Sequence, residues 1–515
     1  MKELMEVVIG KDTSTITEKS FMVPTGCKRL SIEHDLPEEY GFLVFFIIRD
    51  PDGKIRFQKQ LSCSESRISV GSDASNTTIG GVPGVIKSGV WKIDIILFSE
   101  YLKALAGDNR VTLHISISDH ELPVTEVIGG SVWTKGEMKY EGYDFQKLFQ
   151  KEKRWYKGDL HTHTRLSDGV ELPETASRKA EFMELDYYVP TEHNVLHTGW
   201  PQTDVMILPG VEITTTLGHA NLFGIDQRPE SLDGILVHKE ETLLKQDIKA
   251  IIKECRERNW LFSVNHPFLY VWKWLMEELP LEAMDCLEII NDPTYEAEKQ
   301  ACAKEANEKA VLLADALWED GYRVCAIGGS DSHKKIDDFY EGACEPSIPG
   351  DPATWLYMDG LSPEHLMKAL RDCHSYVTRY CKVEAQLMAC DGEKTEEVCF
   401  GDRLGNSSKR LTYVISLEAL NEEPVIFYIL NGKKYVCQQV ECDGRRYKVT
   451  GSISLKDGYN WIRFGAQKQD GSFLFYANPV TRGEKEHRFH RFGKIRKYVE
   501  EQWRSKEFYL TKTER

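Results

Sequence analysis

Histidines and carboxylates recur in this chain as short motifs at the ends of strand-like segments. In GDLHTHTRLSDG, His161 and His163 are two residues apart, so on a strand both imidazoles project to the same side. Such a pair is the strand counterpart of the i, i+4 histidine pair that binds zinc from a helix. Asp168 follows in the loop, and Gly169 permits a tight turn there. Alone, an HxH pair is a common coincidence that carries little weight, since an edge strand with solvated histidines has the same pattern.

Four further segments carry the same residue types. TEHN supplies His193, GVEITTTLGHANLFG supplies Glu212 and His219, VNHP supplies His266, and GGSDSH supplies Asp331 and His333. Taken singly, each of these histidines is more often a satisfied core or surface group. Together, nine oxygen and nitrogen ligands at strand ends indicate a metal site, because a buried cluster of imidazoles and carboxylates without a cation is costly.

Alternating strand-like and helical segments surround these motifs. The strand-like segments are KGDLHTH, YYVPTEHN, VMILPGVEI, HANLFGI, LFSVNHP, CLEIIND and RVCAIGGSDSH. The helical segments are ETASRKAEFMELD, EETLLKQDIKAIIKECRER, EAEKQACAKEANEKAVLLADALWEDG and SPEHLMKALRDC. The alternation predicts a parallel sheet with covering helices, and seven strands in about 180 residues favour a small closed barrel. The C-terminal ends of such strands converge on one face, where the motifs would meet.

Strand-like segments without chemistry-bearing motifs flank this region. We predict an N-terminal β domain over residues 1–150, the barrel over 151–380, a C-terminal β domain over 381–485 and a helical tail over 486–515. Asn431-Gly432 between two apolar runs predicts a two-residue hairpin in the C-terminal β domain. The tail has apolar residues at helical spacing, which predicts a buried face formed by Phe489, Phe492, Ile495, Tyr498 and Val499.

Composition excludes several classes of function. The chain has 515 residues, 41% of them hydrophobic and 28% charged, which is typical of a soluble protein with several domains. A net charge of -16 argues against nucleic-acid binding. No run approaches the ~20 apolar residues that cross a bilayer, and the N-terminus lacks the apolar segment of a signal peptide. The 13 cysteines are scattered, which favours reduced thiols and a cytoplasmic location.

The motifs HTHTxxSDG, TEHN, GVE…GH, NHP and GSDSH together resemble the PHP family, named for polymerase and histidinol phosphatase domains. More narrowly, they resemble the subgroup similar to the carbaryl-hydrolysing enzyme. The resemblance covers roughly residues 155–380. It implies an α/β fold with a distorted seven-stranded β/α (TIM-like) barrel. The strand patterns predict that β-sandwich-like domains flank this barrel on both sides. The resemblance further implies two or three divalent metal ions, for which Zn, Mn and Fe suit this ligand set.

The resemblance also implies how the ligands are shared. One metal ion would take His161, His163, Glu212 and Asp331. Glu212 would bridge to a second ion that also takes His219 and His266, while Asp168, His193 and His333 would hold a third. Glu192 stands where an aspartate is commoner in the family, and we expect it to orient His193 from outside the ligand shell.

The expected chemistry is hydrolysis by a metal-activated hydroxide, with Asp331 shuttling the proton to the leaving group. Arg165 is the first candidate to bind an anionic small-molecule substrate, and Lys334 or Lys335 the second. Trp272 and Trp274 could line a pocket, although packing is the simpler interpretation.

Three functions stay open at this stage. A phosphoesterase acting on a small phosphorylated molecule is favoured by the resemblance and by the position of Arg165. The alternatives are a carbamate, ester or amide hydrolase with the same site, and a non-catalytic ligand-binding protein with structural metals. The β domains could also mediate assembly into a homo-oligomer.

Overall fold

A computed structural model describes residues 2–10, 14–62, 65–98, 111–119, 123–297, 303–392 and 394–513. It shows a mixed α/β protein that is rich in sheets, with seven α-helices in these ranges. The helices are α1 (Glu38–Gly41), α2 (Pro173–Phe182), α3 (Leu232–Val237), α4 (Glu241–Arg258), α5 (Ala303–Glu319), α6 (Pro363–Arg371) and α7 (Phe492–Thr513). Short 3-10 turns cover Ala74–Asn76, Tyr270–Trp272, Leu281–Ala283 and Pro293–Ala297.

Two four-stranded antiparallel sheets form the N-terminal part. Their strands are β1 (Lys2–Ile9), β2 (Ile16–Val23), β3 (Arg29–His34), β4 (Val44–Arg49), β5 (Ile55–Gln60), β6 (Arg67–Gly71), β7 (Gly89–Leu97) and β8 (Val111–Ser118). The sheet orders are β1-β8-β3-β6 and β2-β7-β4-β5. Buried side chains from both sheets, such as Ile32 and Trp91, share one apolar core, which fits the predicted sandwich-like arrangement.

Strand β4 is apolar from Val44 to Ile48 because both of its faces are buried. Phe46 and Ile48 point into the core shared by the two sheets. Phe45 and Ile47 point the other way and pack with Leu166, three residues past His163. The N-terminal sheets therefore contact the loop that leads out of the HTHT motif.

The central strands form two larger sheets and one two-stranded sheet. They are β9 (Ser131–Val132), β10 (Arg154–Thr162), β11 (Tyr187–Pro190), β12 (Gly199–Trp200), β13 (Met206–Ile207), β14 (Gly210–Thr215), β15 (Gly218–Phe223), β16 (Leu261–Val264), β17 (Cys286–Asn291), β18 (Cys325–Gly329), β19 (Ala353–Met358) and β20 (Ser375–Thr378). One sheet contains β13-β11-β10-β19-β20, the other has the order β14-β15-β16-β17-β18, and β9 pairs with β12. Single parallel bridges, Thr162–Ser332 and His193–Glu212, connect segments of the two larger sheets. All seven predicted strand segments contain a strand.

This pairing differs from the closed parallel TIM-like barrel expected from the sequence. In the described ranges the continuous ladders do not close, and β15 pairs antiparallel with both β14 and β16. Only two residues separate β14 from β15. A connection this short cannot include the crossover that parallel neighbours need, so the chain turns back as a hairpin.

The C-terminal strands extend one of these sheets and add another. They are β21 (Lys382–Asp391), β22 (Lys394–Val398), β23 (Arg403–Leu404), β24 (Arg410–Glu418), β25 (Val425–Leu430), β26 (Lys433–Val436), β27 (Glu441–Asp443), β28 (Arg446–Ser454), β29 (Asn460–Gln467), β30 (Phe473–Ala477) and β31 (Val480–Arg482). Strand β30 pairs with β20 and continues through β29 and β25 to β26, while the other sheet has the order β22-β21-β24-β28-β27. A hydrogen-bonded ladder thus crosses the boundary predicted at residue 380, and the domain limits stay a prediction.

The local predictions in this part agree with the structure. Asn431 and Gly432 both have positive φ, 50° and 80°, and connect β25 directly to β26 as a two-residue hairpin. Phe492, Ile495 and Val499 of α7 are buried in the core of the central region, while Phe489 and Tyr498 pack against it half-buried. Of the predicted helix over residues 296–321, residues 298–302 lie outside the described ranges. No helix in the described chain has the length and apolarity needed to cross a bilayer.

Candidate metal centre

The nine residues singled out in the sequence converge on one place in the structure. Their atoms form four overlapping groups in which the candidate ligand atoms lie within 4.8 Å of one another. The groups are His163/Asp168/His193/His333, His161/His163/Glu212, His161/His266/Asp331 and His193/Glu212/His219. These are hard-to-borderline nitrogen and oxygen donors, which suit divalent metal ions.

Glu212 is the hub of the cluster. It lies on β14 with a fully buried side chain, and its two oxygens contact five imidazoles. The distances are 3.3 Å to His161 Nε2, 3.5 Å to His163 Nε2, 2.8 Å to His193 Nδ1, 3.1 Å to His219 Nδ1 and 3.5 Å to His266 Nε2. A carboxylate in this position can face two cations at once.

Asp331 and Asp168 also contact imidazoles of the cluster. Asp331 Oδ1 lies 3.3 Å from His161 Nε2 and 3.0 Å from His163 Nε2. Asp168 lies 3.2 Å from His333 Nε2 and 3.4 Å from His193 Nε2. These distances are close to the spacing between neighbouring ligands of a tetrahedral ion with ligand distances of about 2.0–2.1 Å.

Several buried ligand atoms that face one another in the cluster have no partner in hydrogen-bonding geometry in the described chain. They are His161 Nε2, His163 Nε2, Glu212 Oε2 and Asp331 Oδ1. Buried polar atoms are nearly always satisfied, and leaving one unsatisfied costs about 1–3 kcal/mol. The donor set therefore fits cations, which would satisfy several of these atoms together.

The electrostatics of the cluster also call for positive charge. Burial would raise the pKa of Glu212, but the imidazoles of His161, His219 and His193 hold that pKa well below its usual range. Burial would lower the pKa of His161, yet Asp331, Glu288 and Glu212 outweigh burial and hold it well above its usual range. The carboxylates thus favour a cation among the imidazoles, and a metal ion can take the place of the protons.

Two parts of the backbone bring these side chains together, namely the segments at and after strand ends and the hairpin of β14 and β15. His161 is on β10. The ligands that follow the ends of strands are His163, Asp168, His193, His266, Asp331 and His333. Glu212 and His219 are exceptions to the prediction, because they are the third residue of β14 and the second residue of β15 rather than residues at the end of a strand. His219 still reaches the cluster, since the antiparallel β15 begins where β14 ends. Asn194, His266 and Asp331 have positive φ of 56°, 26° and 49°, an uncommon conformation for such residues.

Glu192 does not orient His193 as expected. Its carboxylate accepts hydrogen bonds from Thr164 N at 3.0 Å and from the Ser167 hydroxyl, and it lies 2.8 Å from His197 Nε2. His193 instead contacts Thr214 Oγ1 at 2.6 Å. Glu192 therefore fixes the loop between His163 and Asp168, because its side chain projects towards that loop.

The candidate substrate-binding cations lie around this centre. Arg165 Nε is 2.8 Å from Glu126 Oε1. Lys334 Nζ lies 5.0 Å from the centroid of the Tyr340 ring, and its ammonium group forms no ion pair with a carboxylate of the described residues. Lys335 is exposed. The tryptophans differ: Trp274 is buried against Phe262 and Phe492, as a packing residue, whereas Trp272 is half-buried.

Sequence reasoning missed three polar residues beneath the cluster. Asp159 accepts hydrogen bonds from the backbone of His161 and Ser330, which ties β10 to the GGSDSH segment. Glu288 and Asn291 lie on β17 and contact His161 and Asp331 respectively. A signal was present in CLEIIND, because a charged residue inside a buried apolar strand requires a partner.

Comparisons with known proteins do not assign this chain to a family. No family model matches the chain, and no curated protein matches it. One similar solved structure is a two-domain protein from Bacteroides vulgatus containing a predicted PHP-like metal-dependent phosphoesterase. It is 16% identical, with 66% of this chain and 99% of that chain covered and a TM-score of 0.34. Another is the structural-genomics target SoR45, 16% identical over 22% of this chain and 96% of that chain, with a TM-score of 0.12. At these TM-scores, neither similarity supports a conclusion about this chain.

Proposed function

We propose that this protein is a metal-dependent hydrolase of the PHP type that acts on a small phosphorylated molecule. The observation that carries the proposal is the convergence of unsatisfied buried atoms of His161, His163, Glu212 and Asp331. The motif resemblance supports the same assignment independently of the coordinates. The specific metal, the substrate and the narrower resemblance to the carbaryl-hydrolysing subgroup stay predictions.

The residues would divide into three ligand sets around the Glu212 hub. His161, His163 and Asp331 would share one ion with Glu212, since their facing atoms lie 3.0–3.5 Å apart. His219 and His266 would hold a second, and Asp168, His193 and His333 a third. When bound, such ions lower the pKa of water to about 7 and polarise a phosphoryl oxygen.

Asp331 is suited to move a proton in this reaction. Its side chain is 18% exposed, whereas the Glu212 side chain is fully buried. Oδ2 accepts a hydrogen bond from Asn291 Nδ2 at 3.2 Å, while Oδ1 faces the cluster. Its partial exposure would let the Asp331 carboxylate exchange a proton with a leaving group, a role for which the buried Glu212 is less suited.

Positive charge beside the cluster favours an anionic substrate. The Lys334 ammonium group lacks an ion-pair partner in the described chain and follows the ligand His333 directly. Arg165 is in the loop between His163 and Asp168, and its side chain is 26% exposed. Both positions are compatible with binding the phosphate of a substrate held at the metal centre.

Activity of the zinc- and manganese-loaded protein tests the proposal. We expect phosphate release from p-nitrophenyl phosphate or nucleotides, with naphthyl acetate and carbamates unchanged. Asp331→Asn should lower that rate about 100- to 10,000-fold, as expected for loss of a proton-transfer group. Asp338→Asn, an exposed aspartate of the same loop, is the matched control.

Two outcomes would contradict the proposal. Hydrolysis of carbamates or esters but not of phosphate esters would assign the alternative hydrolase with the same site. Zinc binding without any hydrolysis, or hydrolysis that survives both His161→Ala and Asp331→Asn, would show that the proposed centre is not catalytic. His114→Ala, an exposed histidine of the N-terminal sheets, is the control for His161→Ala.

A further inference from the structure

A buried carboxylate, Glu288, lies directly beneath the candidate metal centre. It is on β17 between Leu287 and Ile289, which are both fully buried. Its side chain is 1% exposed, and Oε1 lies 2.9 Å from His161 Nδ1. It belongs to none of the ligand groups found among the described residues. Its role must therefore be sought in what it does to its neighbours.

The contact with His161 determines which nitrogen of the imidazole faces the centre. A carboxylate only accepts hydrogen bonds, so His161 Nδ1 carries the hydrogen in this pair. In the neutral ring, Nε2 then keeps its lone pair. That atom lies 3.3 Å from both Glu212 Oε1 and Asp331 Oδ1, at the position of a metal ligand.

The second oxygen of Glu288 fixes two further parts of the centre. Oε2 accepts hydrogen bonds from the backbone N–H of His266 at 2.9 Å and from Asn291 Nδ2 at 3.2 Å. The same Asn291 amide lies 3.2 Å from Asp331 Oδ2. One carboxylate is thus linked to His161 directly, to His266 through its backbone and to Asp331 through Asn291.

Gly329 leaves the space that this arrangement needs. A Cβ atom at this position would lie 2.4 Å from His161 Cβ and 2.5 Å from Glu288 Oε1. Both distances are shorter than real side chains allow, so any larger residue would displace the pair.

We propose that Glu288 is a positioning residue that sets the proton and the ring orientation of His161, and thereby the metal affinity of the centre. The inference rests on the proposed function because it requires a metal ion at the cluster. It predicts that loss of the carboxylate weakens metal binding roughly 10- to 100-fold, the range for residues that orient metal ligands.

Glu288→Gln tests this role with almost no change in volume. Glutamine offers one acceptor oxygen, whereas the site presents hydrogen-bond donors to both oxygens of Glu288. In either orientation the amide NH2 therefore meets a donor, or forces His161 Nδ1 to accept and Nε2 to carry the hydrogen. Glu254→Gln is the control, a buried carboxylate of α4 that accepts from Glu230 N and Arg258 Nε.

Zinc affinity, measured by competition with a chromophoric chelator, is the readout. We expect roughly 10- to 100-fold weaker zinc binding for Glu288→Gln and wild-type affinity for Glu254→Gln. Cobalt-substituted Glu288→Gln should also show an altered visible absorption spectrum, which a merely destabilised scaffold would not produce. If Glu288→Gln binds zinc as tightly as the wild-type protein, only the inference about Glu288 is overturned. If the wild-type protein binds no zinc, the proposed metal centre itself is overturned.

A measurement on the wild-type protein covers the case in which the variant does not fold. Long-range 1H–15N spectra of the 15N-histidine-labelled, zinc-loaded protein report the hydrogen position on each imidazole. We expect His161 to carry its hydrogen on Nδ1 and to show a metal-shifted Nε2. A hydrogen on Nε2 of His161 would overturn the inference.

Discussion

The guanidinium group of Arg165 lies against a carboxylate from another part of the chain, with Arg165 Nε 2.8 Å from Glu126 Oε1. Glu126 also forms an ion pair with Lys59 of β5. The Lys59 side chain is fully buried and that of Glu126 is 4% exposed. Two cations therefore share one carboxylate where the N-terminal sheets contact the loop between His163 and Asp168.

Glu126→Gln should destabilise the protein strongly. The change leaves the buried ammonium of Lys59 unpaired, and breaking a buried pair by removing one partner costs about 3–5 kcal/mol. Urea unfolding followed by tryptophan fluorescence measures the loss. The control is Glu137→Gln, whose carboxylate pairs with Lys54 and Lys139 at the surface and should contribute less than about 1 kcal/mol. Equal effects of the two changes would contradict the prediction.

Arg165→Met should affect substrate binding more than stability. Glu126 keeps Lys59 as its partner in this variant, so no buried carboxylate is left alone. Loss of a charged hydrogen bond to the substrate costs about 1.5–3 kcal/mol, which corresponds to a rise in KM of roughly 10- to 100-fold. Steady-state kinetics with p-nitrophenyl phosphate measure this. An unchanged KM would show that Arg165 serves only to hold the loop in place.

Removal of metal ions should lower the stability of the protein. Asp168, Glu212 and Asp331 share the cluster with six imidazoles, and cations that bind only the folded state stabilise it by mass action. At a free zinc concentration 100 times the Kd, the stabilisation is about 2.7 kcal/mol. Calorimetry of chelator-treated protein with and without added zinc measures the shift. Equal unfolding temperatures in both samples would count against a metal centre.

In the metal-free protein, Asp292 should make the free energy of unfolding decrease as the pH rises from about 4 to 7. Burial raises the pKa of this carboxyl from 3.8 to about 7. Below pH 3.8 both states are protonated. Between these two pKa values the unfolded state has lost the proton that the folded state keeps, so rising pH favours unfolding. Above about pH 7 the carboxyl is ionised in both states, and its effect on the free energy of unfolding no longer changes with pH.

Asp292→Asn should therefore flatten the pH dependence of stability in this window, measured by urea unfolding in a series of buffers. Asp359→Asn is the control, because Lys153 lowers the pKa of that exposed carboxyl below 3.8. Its contribution to the pH dependence of stability therefore lies below pH 3.8, outside this window. An unchanged pH dependence in Asp292→Asn would contradict the assignment.

Gly329→Ala should weaken zinc binding although it adds a single methyl group. The added Cβ would lie 2.4 Å from His161 Cβ, so either the imidazole or β18 must move. Gly405→Ala is the control, since no atom lies closer than 3.9 Å to a Cβ at that position. Zinc titration of both variants measures this effect, and circular dichroism confirms that they fold. Equal zinc affinities of Gly329→Ala and Gly405→Ala would contradict the prediction.

The sequence alone determined which residues form the candidate centre. His161 on β10 and His163, one residue past its end, both face Glu212, because side chains two residues apart along an extended backbone project to the same side. The Asn431-Gly432 hairpin likewise depends on local backbone geometry, since both residues adopt positive φ readily. Ligand-type residues near strand ends were therefore recognisable without coordinates.

Only the tertiary structure decided how these residues are connected. Three contacts join distant segments. Glu192 and Thr164 are 28 residues apart, Arg165 and Glu126 are 39 apart, and Glu288 and His161 are 127 apart. Such contacts depend on which strands pair and in what direction, as the antiparallel β15 shows. The sequence sets the residue types and the local backbone periods, whereas long-range strand pairing places each carboxylate among its partners.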